Sequence, residues 1–225
     1  MTEFFRFPHT PHLVWLGADS PRGDKVLSVQ ELSDLLAGPV AVEEKLDGAN
    51  LGLSFSSGGE IKVQNRGQYL VPPFSGQFSR LAGWLPQHSR LLSEICHPDM
   101  ILFGEWCAAK HSISYSSLND WFMLFDVYDR SANHFWSTKK RDQLAQRVGL
   151  VTVPTVMRRR TTLVELKNLL TMESACGSPR SEGYIIRQED DEKILARGKL
   201  VRSDFLQSIG EHWSRRAVEW NRLSP

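Results

Sequence analysis

The sequence is short of cysteine, of net charge and of long apolar runs, and each shortage removes a class of protein. Its three cysteines, Cys96, Cys107 and Cys176, lie far apart and form no CxxC pair. Neither a zinc site nor a disulfide scaffold is indicated. Lysine plus arginine number 27 against 26 acidic residues, a formal charge of +1. No bulk electrostatic grip on nucleic acid follows from that balance, so such a partner would need a local basic face. No apolar run approaches the roughly 18 residues a membrane helix needs. The opening Met1-Thr2-Glu3-Phe4-Phe5-Arg6-Phe7-Pro8 also lacks the apolar stretch of a signal peptide. A reducing cytoplasm, with no membrane partner, is the expected setting. Internal repeats, low-complexity tracts and a dividing linker are absent too. With 225 residues, 41% of them hydrophobic, the chain can bury one substantial core.

Periodicity and turn signals predict a mixed order of elements. An extended, proline-punctuated arm, Phe7 to Leu16, leads to Ser28-Val29-Gln30-Glu31, whose capping-box spacing starts a helix to about Leu36. Strands are expected at Val40–Lys45, Leu51–Phe55 and Glu60–Arg66, the last two joined by a Ser56-Ser57-Gly58-Gly59 hairpin turn. A helical region from Gln77 to Ile95 is expected to break at Pro86. Met100–Trp106 and Trp121–Tyr128 read as buried strands, Thr138–Val148 and Leu163–Leu170 as helices, and Val151–Met157 as one strand between them. A second hairpin, Gly183–Arg187 with Ile194–Val201, precedes a helix from Asp204 to Arg222 capped by Ser203, with Trp213 and Trp220 at core spacing. Hairpins with intervening helices, lacking regular βαβ alternation, give an α+β fold. The expected organisation is an arm and short helix over 1–39, a core over 40–202 and a C-terminal helix over 203–225 of the same domain.

Lys45 is the first candidate for chemistry. It ends the apolar strand Val40-Ala41-Val42 and is followed at once by Asp47-Gly48. A lysine there can be held rigidly at a cleft mouth, but an amine is a poor nucleophile while protonated. Burial or nearby cations would have to lower its pKa. Taken alone, the pattern is an ordinary strand end and turn.

The rest of the chain changes that reading. Lys45-Leu46-Asp47-Gly48 is followed in order by Arg66, Phe103-Gly104-Glu105, Phe122-Met123-Leu124-Phe125-Asp126, Glu182-Gly183-Tyr184-Ile185-Ile186-Arg187 and Arg197-Gly198-Lys199. This ordered series, spanning Val40 to Arg202, resembles the covalent nucleotidyltransferases: ATP-dependent DNA and RNA ligases and mRNA capping enzymes. The resemblance implies an antiparallel-sheet, ATP-grasp-like adenylation domain. It also implies that Lys45 attacks the α-phosphorus of ATP, expels pyrophosphate and forms a lysyl-AMP phosphoramidate. Asp47 belongs to the same catalytic motif. Arg197 and Lys199, two apart on a strand and so on one face, would grip phosphate, although the family usually shows Lys-x-Lys here. Glu105 would accept from a ribose hydroxyl, Glu182 would help hold Mg²⁺ or Mn²⁺, and Phe125 would stack on adenine. Glu43, two residues before Lys45, would read the adenine amino group. Arg66 would contact the ribose or a substrate 5′-phosphate.

Asn50 narrows the resemblance. Lys-x-Asp-Gly-x-Asn is similar to RNA ligases related to the phage double-stranded RNA ligases, in which that asparagine helps the sealing step, whereas DNA ligases generally carry arginine. A plain turn residue is the other reading of Asn50. The expected substrate is RNA with a 5′-phosphate and a 3′-hydroxyl. Only 23 residues follow Arg202, too few for the OB domain of DNA ligases and capping enzymes. A minimal ligase core is therefore expected, with RNA recognition supplied by a protein partner. The rival readings are a compact ATP-dependent DNA ligase and a non-catalytic module that binds nucleotide or RNA ends. Arg158-Arg159-Arg160 reads as a solvated charge run or a phosphate-tracking surface, and His9 with His12 as a weak metal pair.

Overall fold

The computed structural model describes residues 4–18, 21, 23–208 and 217–225. Two antiparallel sheets form the body. The first has the order β11-β10-β1-β9, built from β1 (Val40–Lys45), β9 (Thr155–Arg159), β10 (Gly183–Glu189) and β11 (Ile194–Val201). The second has the order β4-β3-β2-β5-β6-β7: β2 (Ala49–Phe55), β3 (Ile61–Gln64), β4 (Tyr69–Leu70), β5 (Met100–Trp106), β6 (Phe122–Asp129) and β7 (His134–Phe135). A short β8 (Val151–Thr152) pairs in parallel with β6. The α+β expectation holds, and most strands fall where alternation and turn signals put them.

The helices cover the outer faces. α1 (Val29–Leu36) starts at Ser28 with the reciprocal capping box that the sequence predicts. It and α4 (Leu163–Leu169) bury Leu35 and Leu166 against Val42, Tyr184, Ile186 and Leu200 of the first sheet. α2 (Leu81–Ile95) and α3 (Thr138–Val148) bury Trp84, Leu92, Leu144 and Val148 on the second sheet beside Trp106 and Phe122.

Three local expectations are overturned. Pro86 does not break α2, which runs through it. Burial of Trp84 and Leu92 on the same sheet outweighs the one hydrogen bond proline forgoes. Side chains also serve the carbonyls nearby: Gln87 Nε2 donates to Gly83 O at 2.8 Å and His88 Nδ1 to Trp84 O at 3.0 Å. The strand expected over Val151–Met157 is two strands in different sheets, because Pro154 lies between them and cannot donate to a ladder. The final helix departs from its expected bounds at both ends: among the described residues it covers Ser203–Ser208 (α5), so Ser203 is its first residue and not its cap. Residues 217–225 carry no helix and join the body through isolated bridges Ala109–Trp220 and Leu118–Leu223. Trp220 is half-exposed there, not core, and Trp213 lies outside the described residues. β4 and β7, two residues each, carry too little pattern to be read from sequence.

The arm is part of the fold. Phe5 stacks on Tyr128 with centroids 3.8 Å apart, and Phe7 meets Phe103 edge-on at 5.0 Å. Further on, the arm adds to the edge of β11: Lys199 N donates to Pro11 O and Leu13 N to Lys199 O, both at 2.8 Å. A Cβ on Gly198 would lie 2.3 Å from Leu13 Cδ1. The glycine in Arg197-Gly198-Lys199 is thus what lets the arm lie against the strand. The three cysteines are free and buried. Among the described residues no helix is long and apolar enough to cross a membrane.

Candidate active site

Lys45 sits where the chain leaves one sheet for the other. β1 ends at Lys45 in the first sheet, residues 46–48 turn, and β2 begins at Ala49 in the second. The turn is tight against β5: a Cβ on Gly48 would lie 2.6 Å from the Trp106 carbonyl oxygen, and Gly48 N donates to Glu105 Oε1 at 3.0 Å. Only glycine allows that approach. Glu182, immediately before β10, reaches Lys45 from the first sheet, with Nζ to Oε1 at 2.6 Å. Asp47 is differently employed. Its Oδ2 accepts from Ser112 N and Ile113 N, both at 2.7 Å, and its own N–H donates to the Tyr115 hydroxyl at 2.8 Å.

A cavity of about 510 Å³ opens in front of this turn, and the sequence candidates Lys45, Asn50, Arg66, Glu105, Phe125, Arg197 and Lys199 all line it. On β10 and β11, Arg187 is the cross-strand partner of Arg197, and Ile185 of Lys199. All four side chains line the cavity, as the two-residue period of facing strands requires. Phe125 meets Phe7 edge-on at 5.2 Å. Asn50 presents a buried carbonyl oxygen with no hydrogen-bond partner among the described residues. A shallower cavity of about 490 Å³ adjoins, lined by Asn50, Asn65, Arg66, Gln68, Gln77 and Phe78 among others.

Glu43 is not brought to the cavity. Fully buried, it receives Arg141 at 2.5 Å on one oxygen and Arg187 at 2.5 Å on the other. Burial opposes its ionisation, but the two guanidiniums outweigh this and hold its carboxyl below the ordinary range. Its neighbour Glu44 lines the cavity instead. Glu44 Oε2 accepts from Ala175 N at 3.0 Å, while the buried Oε1 finds no partner among the described residues.

Several residues of the site have no signal in the sequence. Asp126 ion-pairs with Arg197, and both line the cavity. It does so beside Phe125 because the β5–β6 register slips at Phe103/Gly104, so that two successive β6 residues reach one cavity. From the arm, Asp24 ion-pairs with Lys199 at 3.1 Å and with the buried His12 at 3.1 Å. His9 also lines the cavity, and among the described residues neither it nor His12 belongs to a group of three or more side chains that could hold a metal. Of the three-arginine run, Arg158 pairs with Asp142 at 2.6 Å and Arg159 with Glu165 at 3.5 Å, while Arg160 donates to Ala37 O at 2.5 Å.

The electrostatics overturn one expectation. Burial pulls the Lys45 pKa down, yet Glu182, Glu105 and Asp47 together hold it above the ordinary lysine range. The ligand-free lysine is a paired ammonium. Burial raises Glu105 to about 8 against the attraction of Lys45, with Glu182 and Asp47 adding to the rise. Glu182 is raised to about 7, again by burial, opposed by Lys45 and reinforced by Asp47. Crowded, desolvated carboxylates fit a hard divalent cation. Among the described residues no cluster of three or more side chains could ligate a metal alone, so phosphate oxygens and water would complete the shell.

A stability prediction follows for the ligand-free protein. A raised folded-state carboxyl pKa gives stability that is full below the ordinary value of 4.5 and is lost as pH rises through about 8. The melting temperature of the wild type is expected to fall relative to Glu105→Gln between about pH 5 and pH 8.5. Parallel melting curves for the two proteins across that range would refute the assignment.

These features define a class. The fold is that of RNA ligases: a Naegleria gruberi RNA ligase variant solved with ATP and Mn aligns at TM-score 0.60 and 16% identity, over 80% of this chain and 55% of that one. Another variant, solved with AMP and Mn, aligns at 0.61 and 17% over 90% and 63%. An archaeal ATP-dependent RNA ligase aligns at 0.60 and 21% over 90% and 49%. Residues 38–201 match the family model for RNA ligase, and the chain belongs to that family. It spans roughly half to two-thirds of the length of the solved structures it matches. No curated protein matches it by sequence.

Proposed function

We propose that the chain is the nucleotidyl-transfer core of an ATP-dependent RNA ligase and that Lys45 is its AMP acceptor. The observation that carries this is the convergence of Lys45, Glu105, Phe125, Arg197 and Lys199 from both sheets on one cavity, with Glu182 paired to Lys45 behind it. Adenine stacks on Phe125, which lines the cavity. Glu105 accepts from a ribose hydroxyl. Arg197 and Lys199 face the phosphates, while the charge of Arg187 is spent on the buried Glu43. A divalent cation, held by Glu182 with phosphate oxygens and water, would take that carboxylate from the ammonium and neutralise phosphate charge.

Lys45, once it has lost its proton, attacks the α-phosphorus. A P–N bond forms, the bond to the bridging oxygen breaks, and pyrophosphate leaves. The AMP then passes to an RNA 5′-phosphate, and a 3′-hydroxyl displaces it to form the phosphodiester. Asn50 and Arg66, shared by the main cavity and the adjoining one, would meet the RNA ends. With a net charge of +1, tighter RNA grip is assigned to a protein partner.

Incubation with α-labelled ATP and Mg²⁺ is expected to leave label on the protein that survives denaturation and alkali and is released by acid, as a phosphoramidate is. Nicked duplexes with RNA on the 3′-hydroxyl side are then expected to be sealed. Absence of label would sink the reading, and equal joining of all-DNA nicks would favour the compact DNA ligase.

A further inference from the structure

Residues 217–225 are far from Lys45 in sequence, yet they are pinned along the loop 107–118. Lys110 N donates to Glu219 O at 2.8 Å, Asn221 N to Ala108 O at 3.0 Å, and Arg222 N to Tyr115 O at 3.0 Å. Leu118 N donates to Arg222 O at 3.0 Å, and Ser224 N to Leu118 O at 2.7 Å. At the centre lies the side chain of Asn221, only 3% exposed. Its Oδ1 accepts from Tyr115 N at 2.8 Å, while Nδ2 donates to Cys107 O at 2.8 Å and to Ala109 O at 3.2 Å. One amide thus ties both ends of the 107–115 stretch together. The flanking Trp220 carries the Arg80 guanidinium at 4.3 Å, which also lies over Trp121 at 4.6 Å.

That stretch is the one that holds the nucleophile's turn. Ser112 N and Ile113 N bind the Asp47 carboxylate, and the Tyr115 hydroxyl accepts from Asp47 N. Tyr115 is 1% exposed and so is fixed by packing. A continuous path therefore runs from Asn221 through Tyr115 to Asp47, two residues from Lys45, with Gly48 beyond it bound to Glu105.

We propose that Asn221 is a positioning residue for AMP transfer: through the loop 107–118 it fixes the Asp47-Gly48 turn, and with it the approach of Lys45 to the α-phosphorus. This rests on the reading of Lys45 as the AMP acceptor. In-line attack tolerates little misplacement, since an error near 1 Å can cost roughly a hundredfold in rate. The site touches ATP at none of these residues, so the effect falls on the rate at saturation and not on nucleotide affinity.

The test is single-turnover transfer of labelled AMP from ATP and Mg²⁺ to the full chain, run below the melting temperature of each variant. Asn221→Ala and Tyr115→Phe are each expected to lower the saturated rate about tenfold or more, with half-saturating ATP changed less than about twofold. The double variant should be no slower than the slower single one, because both changes cut the same path. Asn221→Asp keeps the acceptor for Tyr115 N but turns a buried carboxylate oxygen on the Cys107 and Ala109 carbonyls, so it is expected to be no faster than Asn221→Ala. Folded variants that load at the wild-type rate, or losses that multiply in the double variant, would overturn the proposal. Wild-type protein that takes no label would overturn the reading of Lys45 instead.

Discussion

Lys45→Arg is expected to abolish transfer of AMP to the protein, lowering it by at least about a thousandfold. The substitution separates two roles that alanine would remove together. Arginine keeps the positive charge and can still pair with Glu182, which lies 2.6 Å from the lysine ammonium. A guanidinium, however, does not lose its proton in a protein and offers no lone pair to phosphorus. If Lys45 only neutralised the buried carboxylates, Lys45→Arg would retain most activity. Label from α-labelled ATP at a rate within tenfold of wild type would therefore discard the nucleophile assignment. Pre-formed adenylated RNA, offered with a nick, should still be sealed by the variant, since the later step does not use the lysine's lone pair.

Arg141→Met is expected to destabilise the protein by about 3–5 kcal/mol, because it leaves a buried charge short of a partner. Glu43 and Arg141 are both essentially inaccessible, and Arg141 also donates to the Phe125 carbonyl at 2.6 Å. Methionine fills much of the volume but returns no donor. Arg187 alone would then face the Glu43 carboxylate, and the Phe125 carbonyl would lose its main partner. For a chain of this size the loss corresponds to a fall of roughly 6–20 °C in melting temperature. A fall of under about 2 °C would mean that the cluster is not held as described.

How far the site could be read from the sequence differs from residue to residue. Lys45, Glu105, Glu182, Phe125, Arg197 and Lys199 converge as their order along the chain implies, because each sits on or beside a strand whose alternation is plain. Glu43 shows where alternation fails. Counting two back from Lys45 puts both on one face, but β1 is central and buried on both sides, and its register to β9 shifts between Val42 and Glu43. Glu43 is instead drawn to Arg141, on a helix 98 residues away, and to Arg187. No local pattern carries that pairing. Asp126 is hidden for a similar reason, a bulge that only the partner strand reveals. The arm's His12 and Asp24 meet Lys199 through an edge pairing with no sequence signature. The predicted long final helix failed at residues 217–222 because the extended chain there finds hydrogen bonds on the loop 107–118.

The turn at residues 46–48 joins one sheet to the other, and the cavity has walls from both. A nucleotide seated there would act as a rivet through two plates, touching Glu105 on one and Lys199 on the other. Ligand free energy would then appear directly as resistance to melting, growing with the logarithm of one plus the ratio of free nucleotide to its dissociation constant. Loading by ATP should accordingly be readable from a melting curve alone, before any bond to Lys45 has formed.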